Sequence, residues 1–119
     1  MKLLPIAALA LGLLLVAACS REEDPEEFDC TGLTPTYTAD IKPILDANCA
    51  LSGCHDAITV EQGKNLSTYD GAKAASQNDD FLGAIQHKSG FSPMPRNAPK
   101  LSDELIKRIG CWVQNGAPQ

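Results

Sequence analysis

Two cysteines and a histidine within seven residues, Cys49-Ala50-Leu51-Ser52-Gly53-Cys54-His55, constrain this chain more than any other feature. The order matches what covalent haem attachment requires. Two thiols bond to the vinyl groups on one edge of a porphyrin, and the next residue supplies a neutral imidazole to the iron. The usual spacer between the cysteines is two residues; here it is four, so the match is close but not standard. The extra length is expected to bulge out, with Gly53 giving the bulge its conformational freedom. The rest of such a chain has to wrap the group anchored at residues 49–55.

Met94 is the second element of the pattern. It lies in Ser92-Pro93-Met94-Pro95, and the chain's other methionine is Met1. A lone methionine is ordinarily core filler, but the prolines at 93 and 95 fix φ on either side and stiffen a loop where filler is seldom placed. Met94 is therefore expected to be the second axial ligand, opposite His55. His87, seven residues earlier, is the rival ligand; its plainer role is that of a solvated residue near a helix C-terminus.

The N-terminus reads as an export and anchoring segment. Lys2 is followed by a run, Leu3 to Ala18, that is apolar apart from Pro5 and Gly12. This is short for a spanning helix and has the layout of a secretory signal peptide. Val16-Ala17-Ala18-Cys19 resembles a bacterial lipobox. The resemblance implies cleavage before Cys19, lipid on its sulfur and acylation of its new N-terminus; the alternative is an uncleaved anchor. Residues 1–18 are thus expected to be a lipoprotein signal peptide, and 19–36 a lipidated acidic linker. Six of the ten residues from Ser20 to Asp29 are acidic, and Pro25 lies among them, as in a solvated spacer.

What remains, residues 37–119, is one small domain. The formal net charge is −5, with no basic cluster, so nucleic acid is not expected as a partner. Of five cysteines, Cys19 is assigned to lipid and Cys49 and Cys54 to haem. Cys30 and Cys111 are left as a pair in a compartment where disulfides persist. Their bridge would close a loop of about 80 residues, worth about 4 kcal/mol by chain entropy.

Hydrophobic spacing predicts helices and long loops. A first helix is expected from near Asp40 to Asn48, with Thr38 or Asp40 as cap, Pro43 in its first turn and Ile41, Ile44 and Leu45 on one face. Residues 56–65 read as a loop. Short helices follow from Thr68 to Ser76, opened by Ser67 or Thr68, and from Asp79 to Lys88, the second with Phe81, Leu82 and Ile85 on one side. Residues 90–100 form a Pro-rich loop. Ser102 caps a last helix that carries Leu105, Ile109 and Trp112 and ends at Gly116. Trp112 and Phe81 read as core in a chain poor in aromatic residues, and Arg96 as a surface residue. Tyr69 and Trp112 are also weighed as donors to a haem propionate.

This layout resembles the cytochrome c superfamily, in particular short single-haem bacterial lipoproteins of the planctomycete-type cytochrome c domain. The likeness covers roughly residues 37–117. It rests on Ile41-Lys42-Pro43-Ile44-Leu45, the Cys49/Cys54/His55 motif, Met94-Pro95, Leu101-Ser102 and the closing Trp112-Val113-Gln114-Asn115-Gly116-Ala117. It implies an all-α, cytochrome c-like fold of three to five short helices around one covalent haem c, with the first and last helices crossing. His55 would be the proximal ligand and Met94 the distal one. It further implies an electron carrier rather than an enzyme, whose partners are redox proteins and, through the lipid, a membrane, with no small-molecule substrate. The expected location is the periplasm or the outer membrane of a Gram-negative bacterium, including its exposed surface.

Two other readings are carried forward. One is a five-coordinate haem sensor or peroxidase-like protein, which needs Met94 off the iron and has only His87 and Arg96 as distal groups. The other is a haem-free lipoprotein in which the cysteines pair or Cys49, Cys54 and His55 hold zinc. Zinc in structural sites wants four ligands, and this motif offers three, two of them adjacent.

Overall fold

The stripe of Ile41, Ile44 and Leu45 is buried on the first helix in a computed structural model of the chain, which describes residues 27–119. The predicted signal peptide, Cys19 with its expected lipid, and the start of the expected acidic linker lie outside the described residues. Among the described residues the secondary structure is helical, with no strand, as the all-α reading expects. None of these helices is long and apolar enough to cross a membrane.

Helix α1 spans Lys42–Asn48 and carries Pro43 in its first turn, where the fixed φ of proline suits a helix start. The winding begins earlier than the expected start at Asp40. A π-helical turn, Tyr37–Ile41, leads into α1 through wide bonds from Ile41 N to Thr36 O (3.2 Å) and from Lys42 N to Tyr37 O. Pro43 has no N–H to offer the carbonyl of residue 39, so a regular α-turn cannot be completed there, and the chain enters α1 through the wider turn. The capping expectation is also corrected. Thr36, not Thr38 or Asp40, holds the N-cap position, and its own side chain makes no cap bond. Asp40 instead reaches back and accepts the Thr36 N–H at 2.9 Å, as the acidic half of a capping box does.

The later helices follow the sequence more closely. Helix α2, Tyr69–Ser76, is opened by Thr68, whose hydroxyl oxygen accepts the Gly71 N–H. Helix α3, Asp80–Gln86, is shorter than expected because His87 turns left-handed (φ 55°) and ends it. Helix α4, Asp103–Gln114, is capped by Ser102 and followed by Gly116 at φ +88°, a conformation that suits glycine.

Helix α4 packs against the Tyr37–Ile41 turn and against α3. Trp112 and Ile109 on α4 are wholly buried, as are Ile41 and Leu45. Each such side chain contributes about 1.5–3 kcal/mol of transfer free energy. The Tyr37 ring lies 6.2 Å from Trp112 and 5.3 Å from Tyr69, tilted to both. Arg108 of α4 bonds Asp40 at 3.2 Å, joining the first and last helical segments. The chain end closes this corner. Tyr37 N and Trp112 Nε1 both donate to Pro118 O, at 2.9 and 2.8 Å, and Tyr69 Oη donates to Ala117 O at 3.0 Å. The donors of Trp112 and Tyr69 are thus spent on the C-terminal backbone, and neither is free for a propionate.

Cys30 and Cys111 form a disulfide. It fastens the segment before the first helix along α4. Beside it, Phe28 N donates to Gln114 Oε1 (2.7 Å), Gln114 Nε2 donates to Phe28 O, and Asn115 Nδ2 donates to Leu33 O. The Phe28 ring lies directly on Gly110, where any Cβ would collide with it. That close approach accounts for a glycine in the middle of α4, despite its low helix propensity.

Candidate functional site

Helix α1 delivers the first cysteine. Its last turn closes with Cys49 N and Ala50 N both donating to Leu45 O at 2.8 Å, which leaves Cys49 partly buried against the core. The four-residue spacer then folds into a turn. Cys54 N donates to Leu51 O at 2.9 Å, and Gly53, the third residue of that turn, has φ +80°. Ser52 is not left-handed, so this is a type II turn, which requires a residue of positive φ where Gly53 stands.

The turn has a consequence for the motif. With a two-residue spacer on a helix, the histidine amide would sit four residues beyond the first cysteine and bond its carbonyl. Here the separation is six residues, yet His55 N still donates to Cys49 O at 3.2 Å. The turn absorbs the two additional residues and keeps that link.

Asp56 holds the turn shut. Its carboxylate accepts the backbone N–H groups of Gly53 (2.9 Å), Ile58 (2.7 Å) and Thr59 (2.9 Å). The bonds from Thr59 and Ile58 hold its pKa far below the usual carboxylate range, so the clasp stays ionised at any ordinary pH. The following loop fixes the backbone of Cys54 and His55 from the other side, with Glu61 N on Cys54 O and Leu66 N on His55 O.

His55 is buried. Its Nδ1 lies 3.1 Å from Lys64 O. A carbonyl only accepts, so Nδ1 carries the hydrogen, and in the neutral ring the lone pair is on Nε2. Among the described residues Nε2 has no hydrogen-bond partner. The two cysteines of the motif, Cys49 and Cys54, are bonded neither to each other nor to another cysteine. Burial, with the neighbouring Cys54 adding to it, pushes the Cys49 thiol up to about 11. In chain made without haem, Cys49 at pH 8 should therefore hold roughly two orders of magnitude less thiolate than an unburied cysteine. Timed iodoacetamide labelling with peptide mapping should mark the exposed Cys54 well before Cys49. Equal labelling rates would show that Cys49 is not enclosed.

Met94 is carried separately, on the loop after α3, and is half-buried. Its N–H donates to Ala84 O at 3.0 Å, and its carbonyl lies 3.0 Å from Nε2 of His87. The same argument from the carbonyl puts the hydrogen of His87 on Nε2. The rival ligand is thus engaged with the backbone of Met94, and Arg96 is exposed. The Phe91 ring packs on Gly83 and folds this loop back over α3. Lys64, whose carbonyl orients His55, reaches Asp80 in the first turn of α3 at 3.2 Å. The backbone bond from His55 N to Cys49 O therefore keeps Cys49, Cys54 and His55 within one closed turn of the chain. The structure fastens the His55 and Met94 segments to opposite ends of the same short helix.

Among the described residues, no three His, Cys, Asp or Glu side chains converge as a metal cage. An open cleft of about 690 Å³ lies between Phe28, His87, Lys100 and Ile106; Cys49, Cys54, His55 and Met94 do not line it. Two contributors to the site were not singled out from sequence. Asp56 has a signal in its type, since an Asx side chain in a loop commonly bonds amides two or three residues on. Lys64 has none, because it acts through its carbonyl. Comparison with known proteins returns no match among family models, curated proteins or solved structures.

Proposed function

We propose that this chain is a membrane-anchored, extracytoplasmic c-type cytochrome that carries single electrons between redox proteins. The observation that carries this reading is His55: a buried imidazole with Nδ1–H on a backbone carbonyl and a lone pair on Nε2, directly after two free thiols. A metal-ligating histidine characteristically gives its other nitrogen such a partner, which fixes the ring and raises its basicity. A covalently bound haem would supply one-electron exchange.

The chain's own residues have distinct parts in this scheme. Cys49 and Cys54 would form the thioethers, and the type II turn at Gly53 accommodates the long spacer between them. His55 is the proximal ligand, oriented by Lys64 O. Met94 is the distal ligand, on a loop fastened to α3. The all-helical architecture, with its first segment packed on α4, is compatible with a cytochrome c-like fold. With His55 and Met94 both holding the group, the protein would be an electron carrier and not an enzyme. Its net negative charge would steer it to basic patches on its partners through salt-sensitive contacts. The lipid on Cys19 would hold it at a periplasmic or outer-membrane surface.

The competing readings draw less support. A peroxidase-like or sensor site needs a distal histidine or arginine, and His87 is engaged with Met94 O while Arg96 is exposed. A protein stapled by two disulfides would pair Cys49 with Cys54, and both are free thiols.

The test is the absorbance spectrum of the protein exported from a host with a haem c maturation system, oxidised and then reduced, together with a denaturing gel stained for haem. A sharp c-type α-band with colour retained on the gel is the expected result. A colourless protein from a competent host would end this reading, and a covalent but high-spin haem would favour the sensor or peroxidase alternative.

A further inference from the structure

Helix α3 ends on an unusual residue. The left-handed position that closes a helix is most often glycine, because a Cβ there is disfavoured. Here it is His87, at φ 55°. The side chain is exposed and buries little surface. The conformation aims the ring at one target, and Nε2–H donates to Met94 O at 3.0 Å. The amide of the same residue is taken by Ala84 O, one turn back on α3. Both backbone groups of Met94 are therefore fixed by the end of a single helix, one through the main chain and one through this imidazole.

We propose that His87 is a positioning residue for Met94: it sets the backbone from which the thioether side chain is presented and thereby limits how readily an outside ligand displaces it. This rests on the assignment of Met94 as an axial ligand. The histidine that sequence alone presents as a competitor for the iron becomes the residue that holds the ligand loop in place.

Glycine at position 87 separates this role from ordinary structural support. His87→Gly removes the donor to Met94 O, yet it relieves the left-handed Cβ, so the fold is not weakened at the helix end. His87→Gln keeps an N–H at similar reach. The full-length ferric holoprotein and both variants would be titrated with imidazole while the methionine–iron charge-transfer band is followed, and their thermal unfolding midpoints compared. In His87→Gly, imidazole should bind roughly two- to tenfold more tightly, the range set by one hydrogen bond. Its unfolding midpoint should be unchanged or higher, and His87→Gln should stay near the wild type. Imidazole affinity in His87→Gly equal to that of the wild type would overturn the proposal. A wild-type protein with covalent haem but no methionine–iron band would overturn the ligand assignment beneath it, and that failure is visible before any variant is made.

Discussion

Replacing Cys30 and Cys111 together by alanine should remove about 4 kcal/mol of stability, the chain-entropy value for a loop of this length. The two residues are 81 apart in sequence, so the bond restricts most of the unfolded domain. Domains of this size have about 5–15 kcal/mol in total, and the loss would be a large part of it. Alanine avoids placing a serine hydroxyl at position 111, where the side chain has no exposure. Urea unfolding followed by circular dichroism measures the change. The slope against urea should also rise, because an uncrosslinked chain exposes more surface when unfolded. A shift of less than 1 kcal/mol would mean that the hydrogen bonds of Gln114 and Asn115 hold the segment before the first helix without the bond.

His55→Ala should have opposite weights in the two forms of the protein. In haem-free chain it deletes one buried ring and one hydrogen bond, to Lys64 O. The cost there should be about 1–3 kcal/mol, ordinary for a half-polar buried side chain. In chain exported through a haem c maturation system it should abolish low-spin haem altogether, with yield down at least tenfold. Any covalent haem that remains should be high-spin. Spectra and haem-stained gels read the second effect, and urea unfolding reads the first. A low-spin spectrum from His55→Ala would show that another nitrogen serves the iron, and would withdraw the role given to Nε2.

Much of the helical skeleton was legible because local signals agreed with one another. Ser102 before Leu105, Ile109 and Trp112, with Gly116 after them, fixes α4 by cap, stripe and stop together. Thr68 does the same for the start of α2. The leftover cysteines pointed to the disulfide by arithmetic, since Cys30 and Cys111 had no other assignment. Two kinds of information were not legible. The π-turn at Tyr37–Ile41 arises from what Pro43 lacks, and hydrophobic spacing does not register a missing donor. The supports of the site, Lys64 O on His55 and Met94 O on His87, are backbone carbonyls, which every residue carries. Residue types identify the candidate ligands, but their holders depend on the path of the loops. Asp56 lies between these cases: an Asx side chain commonly bonds amides ahead of it, but nothing in its type points back to Gly53 inside the spacer.

The bond from Cys30 to Cys111 also decides how the domain bears a pull. If the protein is tethered through its N-terminus and drawn from its C-terminus, the covalent load path enters at residue 30, crosses the sulfurs and leaves along the last turn of α4. Residues 31–110 are bypassed, and among them are Cys49, Cys54, His55 and Met94. Tension between the two ends would lengthen the short segments outside the ring and leave the candidate site slack until the bond is reduced.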